Sequence, residues 1–205
     1  ATDEQIGLIL STTMVVQVCF SFFAGILADK LGRKTTTMMG DFFGWGLACL
    51  VWAASQNFWL FLLAALLNCF EQINQTAWYC LLIEDADQRD LVGLYTWINI
   101  GGLVAIFFAP ISGMLVSANS VVPVVRVLYL LFALTMMTKC FITYKFCHET
   151  RQGQVRKAET KGVSPFRMLG EYRQLIPMLL KNRAVVKAVA VAVLLYIANV
   201  VNTNF

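Results

Sequence analysis

A chain of 205 residues could form one or two water-soluble domains, but its composition excludes them. Hydrophobic residues make up 59% of the chain and charged residues 14%, whereas soluble proteins have about 45–50% and about 25%. This charge is too sparse to cover a water-exposed surface, and the mean hydropathy of +0.67 indicates that the solvent is lipid. The net charge of +4 is concentrated near the C-terminal end without basic and aromatic surface motifs, which argues against nucleic-acid binding.

The sequence contains few residues of the types that form metal sites and catalytic centres. The six cysteines stand singly in or beside apolar runs, with no CxxC pair. The single histidine, His148, has no second histidine for a metal site or a catalytic triad, so we interpret it as a residue at the membrane edge. There is no paired carboxylate and no nucleophile with a base. We therefore expect no metal, no cofactor and no enzymatic activity.

Long apolar runs predict an all-α membrane protein, a multi-spanning helical bundle. About 20 helical residues cross a hydrocarbon layer of about 30 Å. Lipid offers no hydrogen-bond partner to the backbone, and a helix satisfies its backbone polar groups within its own segment. The chain lacks an initial Met and a signal-peptide pattern and stops inside an apolar run, so we interpret it as a fragment. Five complete runs span residues 6–27, 36–55, 58–83, 91–116 and 121–146, and a sixth begins near Ala184.

The distribution of Lys and Arg predicts the orientation, because cytoplasmic loops are enriched in these residues. Lys30, Arg33 and Lys34 follow the first run, and residues 145–187 contain ten bases and three acids. The connections on the opposite side contain no base, although the loop 84–90 on the positive side is acidic. We expect the first residues to lie outside and the long basic segment to lie in the cytoplasm.

The basic segment also carries a helix pattern. Ser164 and Pro165 are typical of an N-cap and a first helical position. Apolar residues then recur in steps of three and four, which predicts a helix on the membrane surface with Pro177 breaking or bending it. A partly ordered basic linker is the alternative. The recurring residues are Phe166, Leu169, Tyr172, Ile176 and Leu179.

The loop after the first run has the sequence Gly-Ile-Leu-Ala-Asp-Lys-Leu-Gly-Arg-Lys over residues 25–34. Gly25 allows two helices to approach, Gly32 allows a tight reversal, and Asp29 and Arg33 supply opposite charges. A plain basic loop would explain the bases but neither the glycines nor the aspartate. This sequence resembles the G-x-L-A-D-R/K-x-G-R-K loop of the major facilitator superfamily, between its second and third helices.

The resemblance implies part of a twelve-helix fold with two halves. Residues 1–146 would be the N-terminal half without its first helix, 147–183 the cytoplasmic loop between the halves, and 184–205 the start of the seventh helix. Residues 84–89 are similar to the acid-to-arginine element after the family's fourth helix, and His148-Glu149-Thr150-Arg151 is similar to the Pro-Glu-Thr ending of its sixth. The residues predicted to form the gating motif are Gly25, Asp29, Gly32, Arg33, Lys34, Glu84, Asp85 and Arg89.

A carboxylate inside a membrane is a functional candidate, because inserting its charge costs about 2.5–3.5 kcal/mol. Glu71 lies midway along the run 58–83, and other polar residues follow at helical steps. In the resembled family this helix lines the central cavity, although a hydrogen-bond clamp between helices would also explain the stripe. The predicted substrate- or proton-binding residues are Glu71, Asn68, Gln72, Gln75 and Tyr79, with Asn199 and Asn202 from the last run.

Three other charges in the runs have simpler interpretations. We expect Asp41 to pair with Lys34 or with water, since it lies only a turn and a half into its run. Arg126 and Lys139 can extend to the membrane interfaces, so we assign them no transport role. Gly40 and Gly44 are spaced as a helix-packing surface.

These features favour a secondary active transporter in a plasma (inner) membrane, moving a small solute by alternating access and coupled to a proton or sodium ion. Its expected partners are the solute, the ion, the lipid bilayer and the remaining helices. One alternative is a proton-coupled drug antiporter, because Ala105, Ala109, Pro110 and Gly113 partly match the G-xxx-G-P-xx-G-G signature of those proteins. Another is a receptor-like or scaffolding membrane protein that keeps the fold without transporting.

Overall fold

The computed structural model describes residues 3–204, except for the side chains of residues 171–176, 178, 196 and 199–204. The described chain is helical and divides into two compact units, residues 1–161 and 162–205. In the first unit the helices are α1 (Asp3–Leu31), α2 (Arg33–Gly40), a π-helical segment (Asp41–Leu47), α3 (Ala48–Ala54), α4 (Phe58–Asn68), α5 (Glu71–Ile83), α6 (Gln88–Ile106), α7 (Phe108–Ala118), α8 (Val121–Phe146) and α9 (Arg151–Glu159). The second unit contains α10 (Pro165–Lys181) and α11 (Arg183–Asn204).

Four helical stretches within the described residues are long and apolar enough to cross a membrane: Asp3–Leu31, Arg33–Ala54, Gln88–Ala118 and Val121–Phe146. The second is continuous from α2 through the π-helical segment to α3, since the residues at both junctions keep α-helical dihedrals. These stretches cover four of the five complete runs predicted from the sequence, and the all-helical membrane fold is confirmed.

The remaining predicted run, 58–83, is divided between α4 and α5. The turn at Cys69 and Phe70 is tightened, because the amides of Cys69 and Phe70 donate to the carbonyls of Leu66 and Leu67, three residues back. Neither half reaches the length of a membrane span alone. Cys69 and Phe70 nevertheless keep helical dihedrals, so the chain stays helical through this turn and Glu71 directly follows a local tightening of the helix.

A second interruption separates α6 from α7 at Phe107. Pro110 follows three residues later and has no N–H to donate to the carbonyl of Ile106, so the helical ladder loses a bond at this point. The amide of Phe107 donates to Val104, three residues back. The proline thus marks a bend region within this candidate span.

The core of the first unit consists mainly of small side chains, which let helix backbones approach closely. α5 packs against α1 and α2, while α3 and the π-helical segment pack against α8. The large apolar side chains mostly point outward, as expected where the surrounding solvent is lipid. The buried alanines and cysteines described in this unit are Ala24, Ala28, Ala48, Cys49, Ala53, Ala64, Ala65, Cys69, Ala77 and Ala133.

Helix α9 belongs to the first unit and packs against α1, so this compact unit continues beyond residue 146, where the sequence ended the N-terminal half. The predicted start of α10 is confirmed, with Ser164 at the N-cap and Pro165 in the first turn. Pro177 does not break α10, which continues to Lys181. The predicted apolar positions Tyr172 and Ile176 lie outside the described side chains.

Candidate functional site

Arg33 is the centre of a charged cluster at the ends of α1, α2 and α5. Its guanidinium Nη1 lies 2.6 Å from Asp29 Oδ1, and its Nη2 lies 3.0 Å from Glu84 Oε1. Arg33 is only 5% exposed, so its charge depends on these two carboxylates for compensation. The Arg33–Glu84 ion pair joins the loop after α1 to the end of α5, which are neighbours only in the folded bundle.

Glu149 caps the start of α2 from 116 residues away. Its Oε1 accepts a hydrogen bond from the Arg33 amide at 2.7 Å, and its Oε2 accepts one from the Lys34 amide at 3.2 Å. A helix N-terminus has unpaired N–H groups and a positive dipole end, so a carboxylate stabilises it. Lys34 Nζ donates to the Tyr144 carbonyl at 2.8 Å, which joins the same turn to the end of α8.

Gly32 permits this contact. Its φ of +96° is the left-handed region that favours glycine. A Cβ on Gly32 would also overlap the Glu149 carboxylate. The glycine predicted to make a tight reversal is therefore required both by the backbone and by the carboxylate that caps α2.

Helix α9 adds a second cation to the cluster. Arg156 Nη2 lies 2.9 Å from Asp29 Oδ2, so Asp29 pairs with Arg156 and Arg33 through different oxygens. The hydrogen bond to Asp29 raises the pKa of the Arg156 guanidinium further, and an arginine is charged at physiological pH in any case. The Thr150 hydroxyl donates to Glu84 Oε2 and also accepts from the Gly153 amide as the N-cap of α9.

Sequence reasoning did not assign Arg156 or Thr150 to this cluster. Thr150 stands four residues after the fifth predicted span and has the residue type of an N-cap, which was a usable signal for α9. Nothing in the local sequence distinguishes Arg156 from Lys157 or Lys161. Its role depends on how α9 folds back onto α1.

Two other predicted motif residues, Asp85 and Arg89, differ in their contacts. Asp85 accepts hydrogen bonds from the Arg151 amide at 3.2 and 3.3 Å. Arg89 is exposed on the first turn of α6 and forms no ion pair with the described residues. His148 is also exposed. The structure thus brings Asp29, Gly32, Arg33, Lys34, Glu84 and Asp85 together with Glu149, Thr150 and Arg156.

The predicted polar stripe of α4 and α5 divides between a helix interface and an open face. The Asn68 amide group donates to the Gly44 carbonyl of the π-helical segment at 2.8 Å, so this residue holds two helices together. Gln75 and Tyr79 are exposed, while Glu71 and Gln72 are half-buried. The carboxylate of Glu71 has no hydrogen bond or ion pair with the described residues. Asn199 and Asn202 lie outside the described side chains.

The expectation that Asp41 pairs with Lys34 or with water is wrong. Asp41 is fully buried, and its Oδ1 accepts from Lys139 Nζ at 2.8 Å and from Asn74 Nδ2 at 2.7 Å. Lys139 therefore does not simply extend to an interface. The error arose because the sequence does not show that α5 and α8 both face this side of the π-helical segment. Arg126, in contrast, donates to the Ser55 carbonyl near the opposite end of α8.

Gly40 and Gly44 act as the predicted packing surface. A Cβ on Gly40 would overlap Asn74, and one on Gly44 would lie 2.9 Å from the Glu71 amide nitrogen. These two glycines let the second span lie directly against α5. They therefore determine how closely Asp41 and Asn74 approach.

Comparisons with known proteins agree with this architecture. The chain is 29% identical over 144 residues to the uncharacterized MFS-type transporter YqjV of Bacillus subtilis (strain 168). The matched region covers 66% of this chain and 34% of that protein. The chain thus spans about a third of the length of this curated relative. No solved structure gives a significant match. The family model of the Major Facilitator Superfamily matches residues 1–205. The chain therefore belongs to the major facilitator superfamily of multi-pass membrane transporters, which are not enzymes.

Proposed function

We propose that the intact protein is a secondary active transporter that moves a small solute by alternating access and is driven by a coupling ion. Family membership supports transport in general, and a midplane site between two rocking halves is the usual arrangement. The observation that carries the ion coupling is Glu71, an acidic side chain inside the predicted bilayer region without a partner among the described residues.

The position of Glu71 supports a binding role. It is the first residue of α5 and directly follows the tightened turn at Cys69 and Phe70, where the hydrogen bonds of the helix change from four-residue to three-residue steps. A short turn of this tighter kind inside a helix often marks a functional hinge. Because a bare charge in lipid costs about 2.5–3.5 kcal/mol, Glu71 must reach water, bind a ligand or take up a proton.

Its neighbours on α5 support a solute with hydrogen-bonding groups. Gln75 and Tyr79 follow Glu71 at helical steps and are exposed in this part of the transporter, and Gln72 is half-buried beside it. Amide and hydroxyl groups together with an aromatic ring can bind a sugar, an amino acid or a drug-like cation. Asn68 instead fixes the approach of α4 to the π-helical segment.

The variant Glu71→Gln tests this function, since it keeps the side-chain volume and removes the titratable group. In proteoliposomes containing the full-length transporter, a substrate panel identifies the solute for the wild type. If Glu71 carries the coupling proton, the variant binds this solute but loses gradient-driven accumulation. If Glu71 contacts a cationic solute, binding itself weakens by about tenfold or more, as expected for a lost charged contact.

The variant Glu4→Gln is the matched control, because it makes the same change at an exposed residue in the first turn of α1. We expect wild-type accumulation from it. Unchanged accumulation and unchanged pH dependence in Glu71→Gln would reject Glu71 as the coupling or binding carboxylate.

The same substrate panel also tests the two alternatives, a drug antiporter and a receptor-like protein. Counterflow of protons and a drug-like solute would support antiport, for which the partial match around Pro110 and the interruption at Phe107 are the supporting features. A full-length protein that binds a solute but never moves it in either direction would support a receptor-like role.

A further inference from the structure

Asp41 is a second intramembrane carboxylate, distinct from Glu71 and from the Arg33 cluster. It begins the π-helical segment and is 0% exposed. Both of its side-chain donors, Lys139 Nζ and Asn74 Nδ2, are bound to the same oxygen, Oδ1. The other oxygen, Oδ2, is buried and has no hydrogen-bond partner among the described residues. A fully ionised carboxylate in this position would be satisfied on one side only.

The amide of Asn74 has the complementary deficiency. Asn74 is 6% exposed, its Nδ2 donates to Asp41, and its Oδ1 is also buried without a partner in the described structure. A neutral carboxylic acid and a carboxamide pair through two hydrogen bonds, N–H to one acid oxygen and O–H from the other acid oxygen to the amide oxygen. The first bond is present here. The two atoms that would form the second are the two oxygens without donors, so one proton on Asp41 Oδ2 would satisfy both.

Lys139 has a second partner besides Asp41. Its side chain is 39% exposed, and its Nζ lies 5.8 Å from the centre of the Trp78 ring, within reach of a cation–π contact. The ammonium group therefore keeps the Trp78 ring as a partner when it leaves Asp41. This arrangement differs from a structural ion pair, in which both partners lose their compensation when they separate.

The titratable groups on the surrounding helices determine the electrostatic environment of Asp41. On α8 these are Lys139 and the thiol of Cys140, whose Sγ donates to the Met38 carbonyl. On α5, Glu71 has its backbone against Gly44, one turn beyond Asp41. α4 has no titratable residue, α3 has Cys49, and α2 begins with Arg33 and Lys34 two turns away. Lys139 is thus the charged side chain in contact with Asp41.

We propose that Asp41, Asn74 and Lys139 form a second proton-binding site, in which Asp41 exchanges the Lys139 ammonium for a proton. The proton comes from water and forms an O–H bond at Oδ2, while Lys139 keeps its own protons and moves toward Trp78. The net charge of the site rises by one. Only the contribution of this site to coupling rests on the proposed function, because proton binding can be measured without a substrate.

Infrared difference spectroscopy on the reconstituted full-length protein tests the site. Spectra are compared before and after a change of pH, in H2O and in D2O, and no ligand other than the proton is added. We expect acidification to produce the carbonyl band of a protonated carboxylic acid, and Asp41→Asn to remove one component of it. Glu71→Gln should retain that component. Failure of Glu71 as the coupling residue would therefore leave this result unchanged.

Lys139→Met provides a second test that keeps the carboxylate and remains decisive if Asp41→Asn does not fold. Loss of the neighbouring cation favours the neutral acid, so the titration midpoint of the Asp41 component should rise by about one pH unit or more. Arg126→Met is the matched control, a base on the same helix that contacts Ser55 instead, and should not shift it. Carboxyl bands unchanged by Asp41→Asn, or a Lys139→Met titration identical to the wild type, would overturn the proposal and leave a helix clamp.

Discussion

Arg33 illustrates how a nearly buried charge can be accommodated at a membrane edge. Asp29 and Glu84 approach its guanidinium from α1 and from the end of α5. Removing one partner of such a pair leaves a buried charge without compensation and costs about 3–5 kcal/mol, far more than an exposed pair contributes. The cluster at these helix ends is thus sensitive to single substitutions.

Asp29→Asn and Arg33→Ala should each lower the transport rate of the full-length protein tenfold or more without preventing membrane insertion. Each variant removes a few kcal/mol of stabilisation from one of the two gating states, and this shifts the equilibrium between the two states by at least tenfold. Initial transport rates and surface expression are the measurements.

Lys157→Ala is the control for these variants. Lys157 is an exposed base on α9, one residue from Arg156, and its loss should leave the rate unchanged. Wild-type rates in both Asp29→Asn and Arg33→Ala would show that the motif only directs the topology of the loop.

At the scale of single elements, the start of α2 depends on a residue far along the chain. Its first two amides donate to Glu149, and Gly32 adopts the positive φ that brings the chain into this contact. The motif loop is therefore joined to the segment that follows α8. A change in that segment would be transmitted directly to the loop.

Gly32→Ala should destabilise the full-length protein more than Gly162→Ala. Both glycines have positive φ, which costs a non-glycine residue about 1–3 kcal/mol. Only at Gly32 would the new Cβ also overlap a carboxylate, since nothing lies within 4 Å of the corresponding position at Gly162. Thermal unfolding in detergent compares the two variants. Equal loss of stability would contradict the contact with Glu149.

The tightened turns within the predicted spans 58–83 and 91–116 have different local causes. Pro110 removes a helical hydrogen bond donor close to Phe107, so the sequence indicates a bend there. The turn at Cys69 and Phe70 has neither proline nor glycine, and the sequence predicted one continuous span. Gly44 packs its backbone against Phe70 and Glu71, so tertiary contact accompanies the second interruption.

At the scale of the whole molecule, the distribution of bases fixes the predicted orientation of every connection. A single cysteine at position 56, introduced by Gln56→Cys in a cysteine-free background, should react with an impermeant thiol reagent in intact cells. Gln56 is exposed between α3 and α4, so the reagent can reach it. Cys147 restored to the same background should react only after permeabilisation, because it ends α8 on the basic side. The opposite pattern of labelling would reverse the topology and move Asp29 to the outer surface.

The sequence was sufficient for properties that depend on local composition. Hydrophobic length predicted the membrane helices because lipid requires every backbone polar group to be bonded within its own segment. The motif of residues 25–34 indicated the family, and it brought out Asp29 and Arg33 as opposite charges in one turn, which the structure pairs. Gly40 and Gly44 were recognised as a packing surface from their spacing alone.

Tertiary structure decided which polar groups meet. Asp41 meets Asn74 and Lys139, 33 and 98 residues away, because the packing of α5 and α8 brings these side chains to one side of the π-helical segment. Asn68 similarly became a link to Gly44 and not a member of an open stripe. In lipid, a helix forms wherever the sequence is apolar enough, so local composition is sufficient to predict it. Each polar side chain then pairs with a group on a neighbouring helix. Which group it meets depends on how the helices are rotated and how closely they approach, and no local sequence pattern encodes these two properties.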